Sequence, residues 1–127
     1  MQKQIVYSDN APKPIGPYSQ AVISGGFLFA SGQIALDPET GKLILDNIEA
    51  ETKQVMNNIG AVLTAAKLDF KNIIKTSIFL KNMDDFAKVN ELYASYFESD
   101  FPARETVQVA KLPKDVNVEI SIIATIQ

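Results

Sequence analysis

Toward the end of the chain, Val116, Val118, Ile120, Ile122, Ala124 and Ile126 recur at every second position, which leaves Asn117, Glu119 and Ser121 on the opposite side. A period of two marks a β-strand with one apolar and one polar face. The apolar row has to be covered by another layer, so the chain must build a sheet with something packed on one side of it. Glu119 is then a mid-strand carboxylate on the side that the row does not bury.

The rest of the chain supplies the covering layer. Apolar residues Val55, Met56, Ile59, Val62, Leu63 and Ala66 follow helical spacing and predict a helix over about Ile48 to Lys67, capped by Asp46 or Asn47. Phe86, Val89, Tyr93, Tyr96 and Phe97 predict a second helix, starting near Asn82 to Asp84. Short strands are expected at Ala21 to Ser24 and Phe27 to Gln33, joined by a Gly25-Gly26 turn, and the segment after Gln4 also alternates like a strand. Ile73 to Leu80 is rich in β-branched residues and reads as a further strand, as does Ala103 to Val109. Pro12, Pro14 and Pro17 make Asn10 to Tyr18 an ordered but irregular loop, and Pro38 to Gly41 makes a turn. The link Lys111-Leu112-Pro113-Lys114-Asp115 is short enough to predict that the last two strands are antiparallel neighbours.

The order β-β-α-β-α-β-β, with about six strands in all, predicts an α+β domain over residues 1–127 in which one mixed sheet carries both helices on a single face. Period-two counting places Phe27 and Phe29 with Ser31 and Gln33, and Ile73 and Phe79 with Ser77, on the face left open. A half-apolar open face calls for a partner, and a closed symmetric homo-oligomer is the default.

What is missing from the chain excludes several chemistries. There is no Cys, His or Trp among the 127 residues. A disulfide framework, a Cys/His zinc site, a thiol nucleophile and a Ser-His-Asp triad are therefore impossible. Proton transfer has to use a carboxylate, Lys, Tyr or water. The net charge of −3 and the lack of a dense basic patch argue against nucleic acid as partner. No apolar run approaches the ~20 residues of a membrane helix, and no signal core follows the N-terminus, so a cytoplasmic location is expected.

Among the charged residues, Arg104 stands out in Phe101-Pro102-Ala103-Arg104. Arg104, Thr106 and Gln108 share one face of their strand, while Ala103, Glu105, Val107 and Val109 share the other. If the apolar rows of the last two strands match, Arg104 lies on the same face as Glu119. A guanidinium fork on a rigid strand is a natural anchor for a small organic acid. On local chemistry alone an Arg104–Glu119 ion pair is the simpler reading of two strand-borne charges. Tyr18, Ser31 with Gly32, and Asn90 have equally plain readings, as a core-closing ring, a close strand contact and solvated helix surface, although the siting of Asn90 near the apolar stripe favours a buried hydrogen-bonding role.

Several strings taken together resemble the RidA (YjgF) family of enamine/imine deaminases, over essentially the whole chain. They are Ala11-Pro12 with Ile15-Gly16-Pro17-Tyr18-Ser19-Gln20, Ser31-Gly32-Gln33-Ile34, Asp85-Phe86 with Val89-Asn90, Phe101-Pro102-Ala103-Arg104, and Leu112-Pro113-Lys114-Asp115 with Val118-Glu119-Ile120. The resemblance implies a chorismate-mutase-like fold and a homotrimer whose sheets form a central barrel, with clefts between subunits. It also implies cofactor-free, metal-free hydrolysis of 2-iminobutanoate and 2-iminopropanoate to 2-oxo acids and ammonia, sparing pyridoxal-phosphate enzymes from these intermediates. Carried over by position, Arg104 would grip the substrate carboxylate and Glu119 would orient or activate water. Tyr18, Ser31, Asn90 and Thr106 would line the cleft.

Two positions depart from the family pattern. Glu105 stands where a small residue is usual, and Thr106 where Cys is common. Glu105 keeps open a different class of function, a non-catalytic trimeric binding module or sensor for 2-oxo acids. A ribonuclease or translation-inhibitor role, attached to some relatives, fits poorly with the acidic balance and the lack of His.

Overall fold

A computed structural model describes residues 2–126. The strands are β1 (Gln4–Val6), β2 (Ala21–Ser24), β3 (Phe27–Ala30), β4 (Ile73–Leu80), β5 (Ala103–Gln108) and β6 (Val118–Thr125), with helices α1 (Ile48–Ala65) and α2 (Phe86–Ala94). All six strands join one mixed sheet in the order β1-β2-β3-β6-β4-β5. Only the β4–β5 pair is parallel.

The alternating row near the end of the chain forms the middle of the core. Val118, Ile120, Ile122 and Ala124 are buried beside Leu28, Ile78 and Leu80 and under Val55, Met56, Ile59, Val62 and Leu63 of α1. A slip of β6 by one residue would drive Glu119 and Ser121 into this layer, so the row fixes which way Glu119 faces.

Helix α1 starts at Asn47, whose side chain accepts from the Ala50 N–H at 2.7 Å. It stops at Ala65, short of the expected Lys67, because Lys67 turns left-handed at φ 62°. In its first turn Glu51 is fully buried and accepts from Asn117 N and Nδ2, both at 2.7 Å, and from Val118 N at 3.2 Å. This carboxylate ties the start of the helix to the start of β6. Glu51→Gln turns one acceptor oxygen into a donor facing a donor, and is expected to cost about 2 kcal/mol in urea unfolding.

The last two strands are not the antiparallel neighbours that the short link suggests. β6 pairs with β3 and β4, while β5 lies parallel to β4 at the sheet edge. The helix between β4 and β5 makes them a βαβ crossover, which returns the chain parallel to its predecessor. The link from Leu112 is no hairpin: Pro113 opens a single 3₁₀ turn, and Lys114 and Asp115 take φ values of 54° and 57°. Lys81 pins the turn through Asp115 at 3.2 Å.

The open face carries Phe27, Phe29, Phe79, Val107, Ser77, Ser121 and Glu119, as the registers Phe79↔Glu119, Phe79↔Val107 and Ser77↔Ser121 show. Phe27, Phe29 and Val107 stay 39%, 42% and 41% exposed. Two expected members leave this face. A register shift between Ile73 and Lys75 turns Ile73 into the core, and β3 ends at Ala30, so that Gln33 pairs with Ile120 and is buried. Both are one-residue irregularities that period-two counting does not detect.

Candidate active site

The irregular loop before β2 is held by one buried amide. Gln20 accepts from Ser8 N at 2.6 Å and donates to the carbonyls of Ser8 at 3.0 Å and Pro12 at 2.9 Å. That anchoring, with the Tyr18 N–H on the Gly16 carbonyl at 2.9 Å, sets Tyr18 at the rim of a cavity of about 540 Å³. Asn58 of α1 secures the facing rim by donating to the carbonyls of Ile34 and Leu36, each at 3.0 Å. The walls include Lys13, Ser31, Gly32, Lys114 and Glu119. Ser31 donates its hydroxyl to the Ser19 carbonyl at 2.6 Å, which fixes its rotamer.

Burial pushes the Glu119 carboxyl above the usual carboxylate range. Among the described residues nothing donates a hydrogen bond to it. A carboxylate without donors and partly removed from water is a stronger base than an exposed one.

Arg104 sits elsewhere. Its register partner is Thr76, which is fully buried, so Arg104 lies on the helix face and not with Glu119. The same-face expectation therefore fails, and with it the Arg104–Glu119 ion pair within one copy. Matching apolar rows requires that one row of each strand be buried, yet no residue of the edge strand β5 is buried in this chain.

On the helix face Arg104 is well prepared. Its guanidinium lies over the rings of Phe86 at 5.5 Å and Tyr93 at 5.3 Å, and donates to Asn90 Oδ1 at 2.6 Å. Tyr93 is locked in turn by its hydroxyl, which bonds Thr76 at 3.0 Å. Burial raises the Tyr93 pKa, against the lowering effects of Thr76 and of the Arg104 charge. Asn90, Tyr93, Phe101, Pro102 and Arg104 line a cavity of about 440 Å³. No described carboxylate pairs with Arg104.

The sequence-derived set thus divides in two. Tyr18, Ser31 and Glu119 come together on one side, and Arg104 and Asn90 on the other. Thr106 follows Arg104 on the helix face, with its hydroxyl buried and without a hydrogen-bond partner, but it lines neither cavity. Phe86 and Tyr93, read from the sequence only as a packing stripe, are the bed of the arginine. The spacing 86, 90, 93 is the signal that could have found them, since it places both rings and Asn90 on one helix face. Glu105 points the other way, bonded to Ser77 and 3.0 Å from Lys75. These two contacts hold its carboxyl below the usual range, and it does not compete for Arg104.

Among the described residues no helix is long and apolar enough to cross a membrane.

A family model described as Endoribonuclease L-PSP matches residues 8–126. A RutC family protein of Pyrococcus horikoshii is 52% identical over 122 residues, covering 96% of this chain and 97% of its own. The human protein named 2-iminobutanoate/2-iminopropanoate deaminase is 44% identical over 122 residues, covering 96% of this chain and 89% of its own. The crystal structure of a Rid family protein from Yersinia pestis aligns with a TM-score of 0.96 at 48% identity, over 98% of this chain and 99% of that one. With motifs, sheet order and near full-length matches in agreement, the chain belongs to the Endoribonuclease L-PSP family, the RidA (YjgF) family that its sequence resembles.

Proposed function

We propose that this protein hydrolyses 2-imino acids, with 2-iminobutanoate and 2-iminopropanoate as substrates, to 2-oxo acids and ammonia. The observation that carries this reading is Arg104: a guanidinium fixed on two rings and an amide, with no carboxylate partner among the described residues. Such a group is arranged to receive a carboxylate from outside. The human deaminase at 44% identity supports the substrate class.

In this mechanism Arg104 grips the substrate carboxylate, and Glu119 takes a proton as water adds to the electrophilic imine carbon. The substrate is the protonated imine. Glu119 returns its proton to the nitrogen of the carbinolamine so formed, which restores the carboxylate. The C–N bond then breaks as the hydroxyl becomes the carbonyl, and the hydroxyl proton leaves with ammonia as ammonium. One water is consumed, and neither a metal nor a covalent nucleophile takes part. Tyr18 and Ser31 shape the Glu119 side, and Asn90 the Arg104 side.

Because Arg104 and Glu119 lie on opposite faces of one sheet, a complete site draws them from two copies. The edge strand β5 of one copy lies against the Glu119 cavity of the next. The exposed Phe27, Phe29 and Val107 supply apolar surface for such an assembly. A head-to-tail contact whose rotation closes makes a ring, and the trimer that the family resemblance implies is such a ring.

The test is formation of 2-oxo acid from freshly generated 2-iminobutanoate by the purified protein. A base must be ionised to act, so kcat/KM should fall as pH drops through the Glu119 pKa. Since burial raises that pKa, the acid limb should lie above the ordinary value of about 4.3. A limb at or below that value would remove Glu119 from the role. Binding of 2-oxobutanoate with no rate gain would instead point to the sensor, although Glu105, the feature that raised that reading, is engaged by Lys75 and Ser77.

A further inference from the structure

Gly32 stands next to the end of β3, where the sheet loses its register. Phe27↔Thr125 and Phe29↔Ile123 extrapolate to Gln33 opposite Glu119, yet Gln33 exchanges backbone hydrogen bonds with Ile120 at 2.8 and 3.1 Å. The slip brings the Gly32 backbone against the Glu119 side chain. A Cβ at Gly32 would lie 2.8 Å from Glu119 Cδ and 3.0 Å from Cγ, and Oε2 would be nearer still. The approaches to Cδ and Oε2 are shorter than real Cβ atoms show, and the one to Cγ is already tight.

The need for glycine here is not conformational. Gly16, Gly25, Gly26 and Gly41 have positive φ, and Gly32 does not. What a side chain at 32 would meet is the carboxylate itself. The atoms in the way are the mobile end of one side chain, so a larger residue moves Glu119 and leaves the fold standing.

We propose that Gly32 is a positioning residue for the base: its missing side chain is the niche that holds the Glu119 carboxylate against the slipped β3–β6 backbone. This rests on the reading of Glu119 as base. Any residue with a Cβ at 32 pushes the carboxylate out into the cavity, into water and away from the reacting carbon.

The test compares Gly32→Ala with the wild-type protein in steady-state kinetics and in a ¹³C NMR titration of the Glu119 carboxyl. The expected result is a folded protein whose kcat falls about tenfold to a hundredfold, as small misplacements of catalytic groups do, while KM changes little. The Glu119 midpoint should move down toward that of an exposed carboxylate. The loss should be smaller in a Glu119→Asp background, where the shorter side chain leaves room for the new Cβ. Unchanged kcat with an unchanged midpoint would overturn the proposal, and so would a Gly32→Ala chain that cannot fold. If Glu119→Gln proved fully active, the base assignment would fall, while the NMR midpoint would still decide whether Gly32 seats the carboxylate.

Discussion

Arg104→Ala is expected to lower kcat/KM for 2-iminobutanoate by about 10²- to 10³-fold, equivalent to about 3–4 kcal/mol of transition-state stabilisation. The magnitude follows from the geometry. The guanidinium is held by Phe86, Tyr93 and Asn90 before substrate arrives, so little side-chain entropy remains to be lost on binding. Truncation removes the held charge proposed to meet the substrate carboxylate. Much of the loss should appear in KM. Arg104→Lys keeps the charge but loses the planar fork and the stacking on two rings, and should recover only a small part of the activity. An alanine variant with wild-type kcat/KM would show that the carboxylate is bound elsewhere.

Glu119→Gln is expected to reduce kcat by about 10²- to 10⁴-fold with a smaller change in KM, since it removes a general base and keeps the shape. Its effect on stability should run the other way. The folded-state pKa of Glu119 is raised by burial, so the unfolded chain binds fewer protons at this group than the folded one across the window between the two values. The stabilising contribution is complete below the unfolded pKa of about 4.3 and is lost as pH rises through the folded pKa. Above that window the ionised, donor-free carboxylate costs folding energy that a neutral amide avoids in part. Glu119→Gln should therefore melt at or above the wild-type temperature at pH 7, with the difference shrinking at pH 4. A variant that melts well below wild type at pH 7 would mean that the carboxylate has stabilising partners.

Much of this architecture was legible in residue patterns with one buried face. The β6 row, the α1 stripe and the Gly25-Gly26 turn all act locally, and each led to the observed element. The elements that misled are those whose neighbours come from far along the chain. β5 has no buried row, so its alternation could not say which side faces the helices, and its pairing with β4 was set by the intervening helix and not by the short link to β6. Gln33 and Ile73 were displaced by irregularities of a single residue.

The candidate site was legible in its parts and misread in its assembly. Arg104, Glu119, Tyr18, Ser31 and Asn90 all line cavities, but in two groups. Aromatic rings at helical spacing read as packing, which hid Phe86 and Tyr93 as the support of the arginine. Gly32 reads in sequence as a close strand contact, and nothing local says that the group approached is the Glu119 carboxylate. A glycine required by a close approach looks the same in sequence as one required by a turn.

A site that takes Arg104 from one copy and Glu119 from its neighbour can be rebuilt by mixing subunits. Arg104→Ala and Glu119→Gln proteins, each inactive alone, would be unfolded together in equal amounts, refolded and assayed on 2-iminobutanoate. In a head-to-tail ring, random mixing places an intact Arg104 against an intact Glu119 at roughly one site in four, so about a quarter of wild-type activity should return. A mixture that assembles but stays as inactive as its components would contradict the shared site.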